Sequence, residues 1–145
     1  MTDIVLVSAC LLGLPTRYDG RSAASDRVLA AAGHCILVPV CPEQMGGLPT
    51  PRPAHFIERG TGEDVLAGRS RVVDLEGRDA TECFLRGARV VARVAELVGV
   101  REVWLKEKSP SCGVERTSTA EGKVPGPGVT AALLRSLGLT LRGFP

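Results

Sequence analysis

The sequence predicts an α/β fold: a single compact three-layer domain over residues 1–145 with a mostly parallel, doubly wound sheet, Rossmann-like or flavodoxin-like. Three observations carry this. Short apolar runs, Ile4-Val5-Leu6-Val7, Ile36-Leu37-Val38-Pro39-Val40 and Val103-Trp104-Leu105, read as buried strands. Stretches of helical period separate them. At 145 residues the chain is long enough for one well-buried core and short for two.

Each element follows from its residues. Strand 4–8 leads into the turn-rich loop 12–20, and a helix is expected from about Ser22 to Ala32, stopped by Gly33. The run 36–40 is almost wholly apolar, which predicts burial on both faces. Residues 42–70 are dense in Gly and Pro. Gly46-Gly47-Leu48-Pro49-Thr50-Pro51-Arg52-Pro53 excludes regular helix or central strand, so a long functional loop is expected. Arg71 to Leu75 reads as a short strand with a turn at Glu76-Gly77. The clearest helix spans about 80–98, capped by Asp79 or Thr81. Phe84, Ala88, Val91, Ala95 and Val98 form its stripe, and Gly99 ends it. Strand 103–106, a loop over 107–126, a helix from Gly128 to Leu137 and a strand from Leu139 to Leu141 complete the chain.

Net charge is +2, which points to neither a nucleic-acid nor a polyacidic partner. Basic residues are fifteen Arg against three Lys, and amides are nearly absent, with Gln44 alone. That bias fits a heat-adapted source or a GC-rich genome. No apolar run reaches the ~20 residues of a membrane span. The N-terminus opens on a strand without a signal-peptide pattern, so a cytoplasmic location is expected, where structural disulfides are rare.

The five cysteines (10, 35, 41, 83, 112) then read as core residues, metal ligands or reactive thiols. Cys35 enters a strand at the far end, and Cys83 sits beside a helical stripe. Packing is the expectation for both. Cys10, Cys41 and Cys112 each stand just past a strand, among turn residues. Parallel α/β sheets place their sites at that edge. Three thiols there suit a soft metal centre with an open position, while a catalytic thiol and simple packing remain open.

Glu43, two residues from Cys41, reads as a general acid or base or as a solvated loop residue. Ser109 and Ser111 flank Pro110 beside Cys112, and bind substrate, donate a proton or shape the turn. Lys108 reads as solvated, and so does Lys106 unless its strand-end position turns it to the site. Arg17-Tyr18-Asp19 form either a polar network over a pocket or a turn. There is no phosphate-loop or dinucleotide glycine motif. His34 and His55 lack metal-pair spacing, and one Trp, one Tyr and three Phe make no stacking platform for single strands.

Several segments together resemble the family catalogued as domain of unknown function 523, which includes thiouracil desulfidases. They are Val7-Ser8-Ala9-Cys10-Leu11-Leu12-Gly13, Arg17-Tyr18-Asp19-Gly20, Val38-Pro39-Val40-Cys41-Pro42-Glu43, residues 46–53, Leu105-Lys106, Ser109-Pro110-Ser111-Cys112-Gly113 and residues 128–134, in family order. The resemblance implies a [4Fe–4S] cluster on Cys10, Cys41 and Cys112 with one open iron. It implies hydrolysis of the C=S group of a 2-thiouracil-like pyrimidine to C=O with release of sulfide. Glu43 becomes the acid/base, assisted by Ser109, with Ser111 as the alternative. The implied partner is a small thiolated nucleobase or nucleoside; the near-neutral charge disfavours a nucleic acid, though tRNA-bound thiouridine carries the same thiocarbonyl, and a monomer or weak dimer without a membrane partner is expected. The chain departs from the family pattern at Ala54-His55-Phe56, Asp79-Ala80-Thr81 and 115–123. Rival readings are a cluster- or zinc-holding module without catalysis, and a metal-free redox thiol protein.

Overall fold

The computed structural model describes residues 3–145. In chain order it runs β1 (Ile4–Ser8), a 3₁₀ turn (Ala9–Leu12), α1 (Asp26–Ala32), β2 (Ile36–Val40), α2 (Pro42–Met45), β3 (His55–Ile57) and α3 (Gly62–Leu66). It continues with β4 (Val72–Asp74), α4 (Thr81–Val98), β5 (Glu102–Lys106), β6 (Arg116–Thr119), β7 (Gly122–Pro125), α5 (Val129–Ser136) and β8 (Thr140–Phe144).

The expected α/β fold is present. Strands β1, β2, β5 and β8 form a wholly parallel sheet in the order β2-β1-β5-β8. From β1 the chain first winds to one side, to β2, then crosses to the other, to β5. The winding therefore reverses between the carboxyl ends of β1 and β5, where a crevice must open.

Strand alternation divides the core. Leu6, Val103 and Leu105 face Val91 and Ala95 of α4 and Ala131 and Leu134 of α5. Val5, Val7 and Trp104 face the other way, toward Val28 of α1, Leu11 and Phe144. Trp104 Nε1 is buried without a hydrogen-bond partner. The predicted α4 stripe holds: Phe84, Ala88, Val91 and Ala95 are buried, and Val98 is partly buried against the same core. The N-cap is Ala80, neither Asp79 nor Thr81, and it makes no side-chain capping bond; Asp79 Oδ1, one residue outside, accepts from the Thr81 amide at 2.8 Å.

Two expectations need correction. β2 is an edge strand, not buried on both faces: Ile36 is 51% exposed. Its apolar run reflects one packed face and one paired edge, and Pro39 is tolerated there because an edge can spare an amide donor.

Nor are 42–70 and 107–126 simple loops. They contribute β3, β6 and β7, which join β4 in a second sheet of order β4-β3-β6-β7. Its strands are three or four residues long, and β6 is Arg-Thr-Ser-Thr, so no apolar alternation betrays them. Thr117 is nonetheless fully buried, its hydroxyl donated to the Ser109 carbonyl at 3.2 Å. Ile57, Val65, Val72, Phe84 and Val129 form the apolar core beneath this sheet.

α2 and α4 touch backbone to backbone. A Cβ on Gly87 would lie 2.0 Å from the Pro42 carbonyl oxygen, and one on Gly46 2.0 Å from that of Cys83. Only glycine permits this approach, and it fixes the short helix that carries Glu43.

Candidate metal centre and active site

A cavity of about 390 Å³ opens at the carboxyl edge of the parallel sheet. Cys10, Cys41, Cys112, Glu43 and Ser109 all line it. Cys10 follows β1 on the 3₁₀ turn, Cys41 follows β2 as the residue before α2, and Cys112 stands on the loop after β5. Cys35 and Cys83 lie outside the lining.

The Cys112 loop is built from its serines. Ser109 Oγ accepts from the amides of Ser111 and Cys112, both at 3.1 Å, which closes the turn and leaves the hydroxyl proton free to be donated. Ser111 is fully buried and outside the cavity lining. Its hydroxyl lies 2.9 Å from Thr130 Oγ1. The first amides of α5 cap the same loop: Val129 N donates to Pro110 O at 2.8 Å and Thr130 N to Ser111 O at 2.9 Å. A Cβ on Gly128 would strike Pro110 O at 2.6 Å, so the docking requires glycine. Ser8 ties β1 to β5 where they diverge, accepting from the Lys106 amide at 3.0 Å.

Burial raises all three thiols. It pushes Cys10 up to about 11, with the Glu43 carboxylate adding to the effect. It raises Cys41 in the same way, with Glu43 again second. Fully buried Cys112 goes well above its ordinary value. Redox cysteines need the opposite, a lowered pKa and a ready thiolate. Thiols this reluctant to ionise become thiolates when a cation takes the place of the proton.

Among the described residues no three His, Cys, Asp or Glu side chains converge as ligands of one ion. A single zinc would need donors about 2.0–2.3 Å from one point. Three soft thiol donors lining one cavity are the donor chemistry that an iron–sulfur cluster takes.

Sequence reasoning missed Arg52 and Ser8 as site residues, and of the two readings left open for Lys106 the strand-end one, facing the site, is the one observed. Lys106 lines the cavity half-buried, and burial lowers its pKa. The Arg52 side chain is 3% exposed. Its guanidinium donates to Thr16 O at 2.9 Å, Thr50 Oγ1 at 2.8 Å and Pro49 O at 3.3 Å, and approaches Glu43 Oε2 at 3.5 Å. Thr16 O also faces the Cys41 thiol at 3.8 Å. A Pro-x-Pro turn holding a lone arginine beside a cysteine loop was the available signal. Arg17, Tyr18, Lys108, Lys123 and His55 complete much of the wall. Lys123 Nζ donates to Ser118 Oγ at 2.6 Å, and Ser118 in turn donates to the Lys108 carbonyl.

A doubly wound domain that gathers three thiols and a carboxylate at its switch point defines a class: α/β proteins with a cavity at the carboxyl edge of a parallel sheet. The chain belongs to the 2-thiouracil desulfurase family, whose model matches residues 5–142. It is 41% identical over 138 residues to the uncharacterized protein YbbK of Bacillus subtilis (strain 168), covering 93% of this chain and 91% of that one. Its fold matches a solved [4Fe–4S]-dependent thiouracil desulfidase, TudS, with a TM-score of 0.79 at 40% identity, over 98% of this chain and 91% of that one. The domain-of-unknown-function 523 resemblance read from the cysteine motifs is thereby confirmed.

Proposed function

We propose that this chain is a [4Fe–4S]-dependent desulfidase that converts the C=S group of a 2-thiouracil-like pyrimidine to C=O. The observation that carries the reading is one cavity lined by three strand-end thiols and Glu43. The family membership and the TudS likeness support it.

Cys10, Cys41 and Cys112 would hold the cluster. When bound, it supplies an iron without a protein ligand, a Lewis acid with affinity for sulfur. The net reaction balances as C=S plus H₂O giving C=O plus H₂S, so no electron donor is needed. The chain's own residues handle protons and position. Glu43, with Oε1 unpartnered among the described residues, takes a proton from water as its oxygen attacks the carbon. The Ser109 hydroxyl proton, free because Oγ serves its turn only as an acceptor, stabilises charge on the substrate. Ser111 acts through the fold of the Cys112 loop, since its hydroxyl is engaged with Thr130.

The test is iron and acid-labile sulfide per chain after anaerobic reconstitution, followed by sulfide release from 2-thiouracil. About four of each per chain with turnover supports the reading. Zinc, or no metal, removes its basis. Glu43→Gln is expected to keep the cluster and to lose activity by roughly 10²–10⁴-fold. Normal turnover by that variant would exclude Glu43 as the base.

A further inference from the structure

The geometry points to Arg52 as the positioning residue that aims Glu43 into the cavity, an inference that rests on the desulfidase reading above. Arg52 sits on the loop between α2 and β3, and its side chain is almost wholly removed from solvent. Nη1 is spent on Thr50 Oγ1 and Pro49 O, within its own loop. Nη2 is the donor that leaves the loop, reaching Thr16 O and Glu43 Oε2. The Arg52 amide adds a second tie, donating to Tyr18 O at 2.8 Å.

One planar side chain thus fastens three pieces: the loop following Cys10, the turn at 49–50, and the helix α2 that follows Cys41. A guanidinium can do this because its donors are fixed in a plane. Four acceptors determine where the plane lies. The Glu43 carboxylate, held through Oε2, then presents Oε1 to the cavity. Burial of a positive charge is costly unless it is fully partnered. Here the partners are one carboxylate and three neutral oxygens, so among the described residues Glu43 is the only anion that neutralises it directly. A lysine is a point charge with rotatable donors. It can keep the charge but cannot span Thr50, Thr16 and Glu43 together.

The role differs from simple bracing. If Arg52 served only to hold loops, its loss would cost the same with or without the Glu43 carboxylate. If it acts through Glu43, the two effects collapse into one. Misplacement of a reacting group by about 1 Å is worth roughly 10²-fold in rate.

The experiment compares the reconstituted full chain with Arg52→Lys, Glu43→Gln and the double variant. Iron per chain, thermal midpoint, kcat and KM for 2-thiouracil are read for each. Arg52→Lys is expected to keep wild-type iron and melt within a few degrees of wild type. Its kcat should fall about 10–100-fold with KM changed less than threefold. In the Glu43→Gln background it should cost nothing further in kcat. Thr50→Val, which removes one steering acceptor and leaves the charge, should lower kcat by a smaller factor, and it stands in if Arg52→Lys does not fold. Additive losses in the double variant overturn the proposal, as does wild-type kcat in Arg52→Lys. So does an Arg52→Lys variant that folds but loses iron, because the arginine would then serve the cysteine loops and not Glu43. Absence of sulfide release from loaded wild type overturns the desulfidase reading itself, and the inference with it.

Discussion

The two sheets divide the labour of this molecule. The parallel sheet β2-β1-β5-β8 brings the three thiols to one edge, each beyond the carboxyl end of one of its strands. The second sheet, β4-β3-β6-β7, supplies no thiol. It provides part of the cavity wall through His55, Ser118 and Lys123, and fastens the Cys112 loop through the Thr117 and Ser118 hydroxyls. Both sheets rest on apolar cores, but the second adds polar strands whose buried hydroxyls are satisfied by backbone carbonyls. A ligand set needs the rigidity of the first. A wall that meets substrate can be assembled from polar strands of the second kind.

The sharpest way to break this division is to remove thiols. Cys10→Ala, Cys41→Ala and Cys112→Ala should each abolish retention of about four irons per chain, whereas Cys35→Ala and Cys83→Ala should keep them. Iron analysis decides it, and full iron in Cys112→Ala would remove the parallel sheet's claim to the site.

Next in size is the contact that seats α2. Gly87→Ala gains up to ~1 kcal/mol of helix propensity. It also drives a methyl into the Pro42 carbonyl, and overpacking of this kind costs about 1–3 kcal/mol. A lower thermal midpoint is expected. A raised one would mean that α2 and α4 are free to separate.

The second sheet can be probed by pH. Burial pushes the His55 imidazole below its ordinary 6.5, with Arg52 and Arg78 acting in the same direction and Asp74 and the Pro53 carbonyl opposing. The unfolded chain therefore binds this proton more readily than the folded one. The contribution is fully present above pH 6.5 and fades as pH falls below it. Asp74 and Asp79 are held below their ordinary 3.8, chiefly by the Arg78 and Thr81 hydrogen bonds respectively, so their contributions are lost only in stronger acid. Between pH 7.5 and 5.5 the urea midpoint of apoprotein should fall more for the native chain than for His55→Gln. Equal slopes would place His55 in ordinary solvent.

The smallest expected effect lies where the sheets meet. Lys108 adopts φ +69°, left-handed for a side-chain-bearing residue. That conformation costs roughly 1–2 kcal/mol and glycine's extra chain entropy returns part of the gain. Lys108→Gly should therefore stabilise by up to about 1 kcal/mol, while Lys108→Ala should not. Equal midpoints for the two would show that the turn is unstrained.

Much of the parallel sheet was legible because its strands are apolar runs separated by a helix of clear period, with glycines at the stops. The three cavity cysteines were legible for a related reason: each stands beyond the end of a strand of the parallel sheet, where side chains meet at one edge. The second sheet was hidden because strands such as Arg-Thr-Ser-Thr and Gly-Lys-Val-Pro owe their pairing to tertiary hydrogen bonds, which composition does not encode. Arg52 was overlooked for the same reason. An arginine between prolines looks solvated until Thr16, thirty-six positions earlier, is folded against it.

Trp104 is the chain's single tryptophan, sealed in the apolar cluster that also holds Cys10, with its indole nitrogen unpaired. Nature has thereby installed one fluorophore beside one thiol of the set. Its ultraviolet emission should be short-wavelength in the folded chain and should dim when a coloured inorganic group settles on Cys10. The occupancy of the centre can then be followed in a cuvette, second by second, without any label.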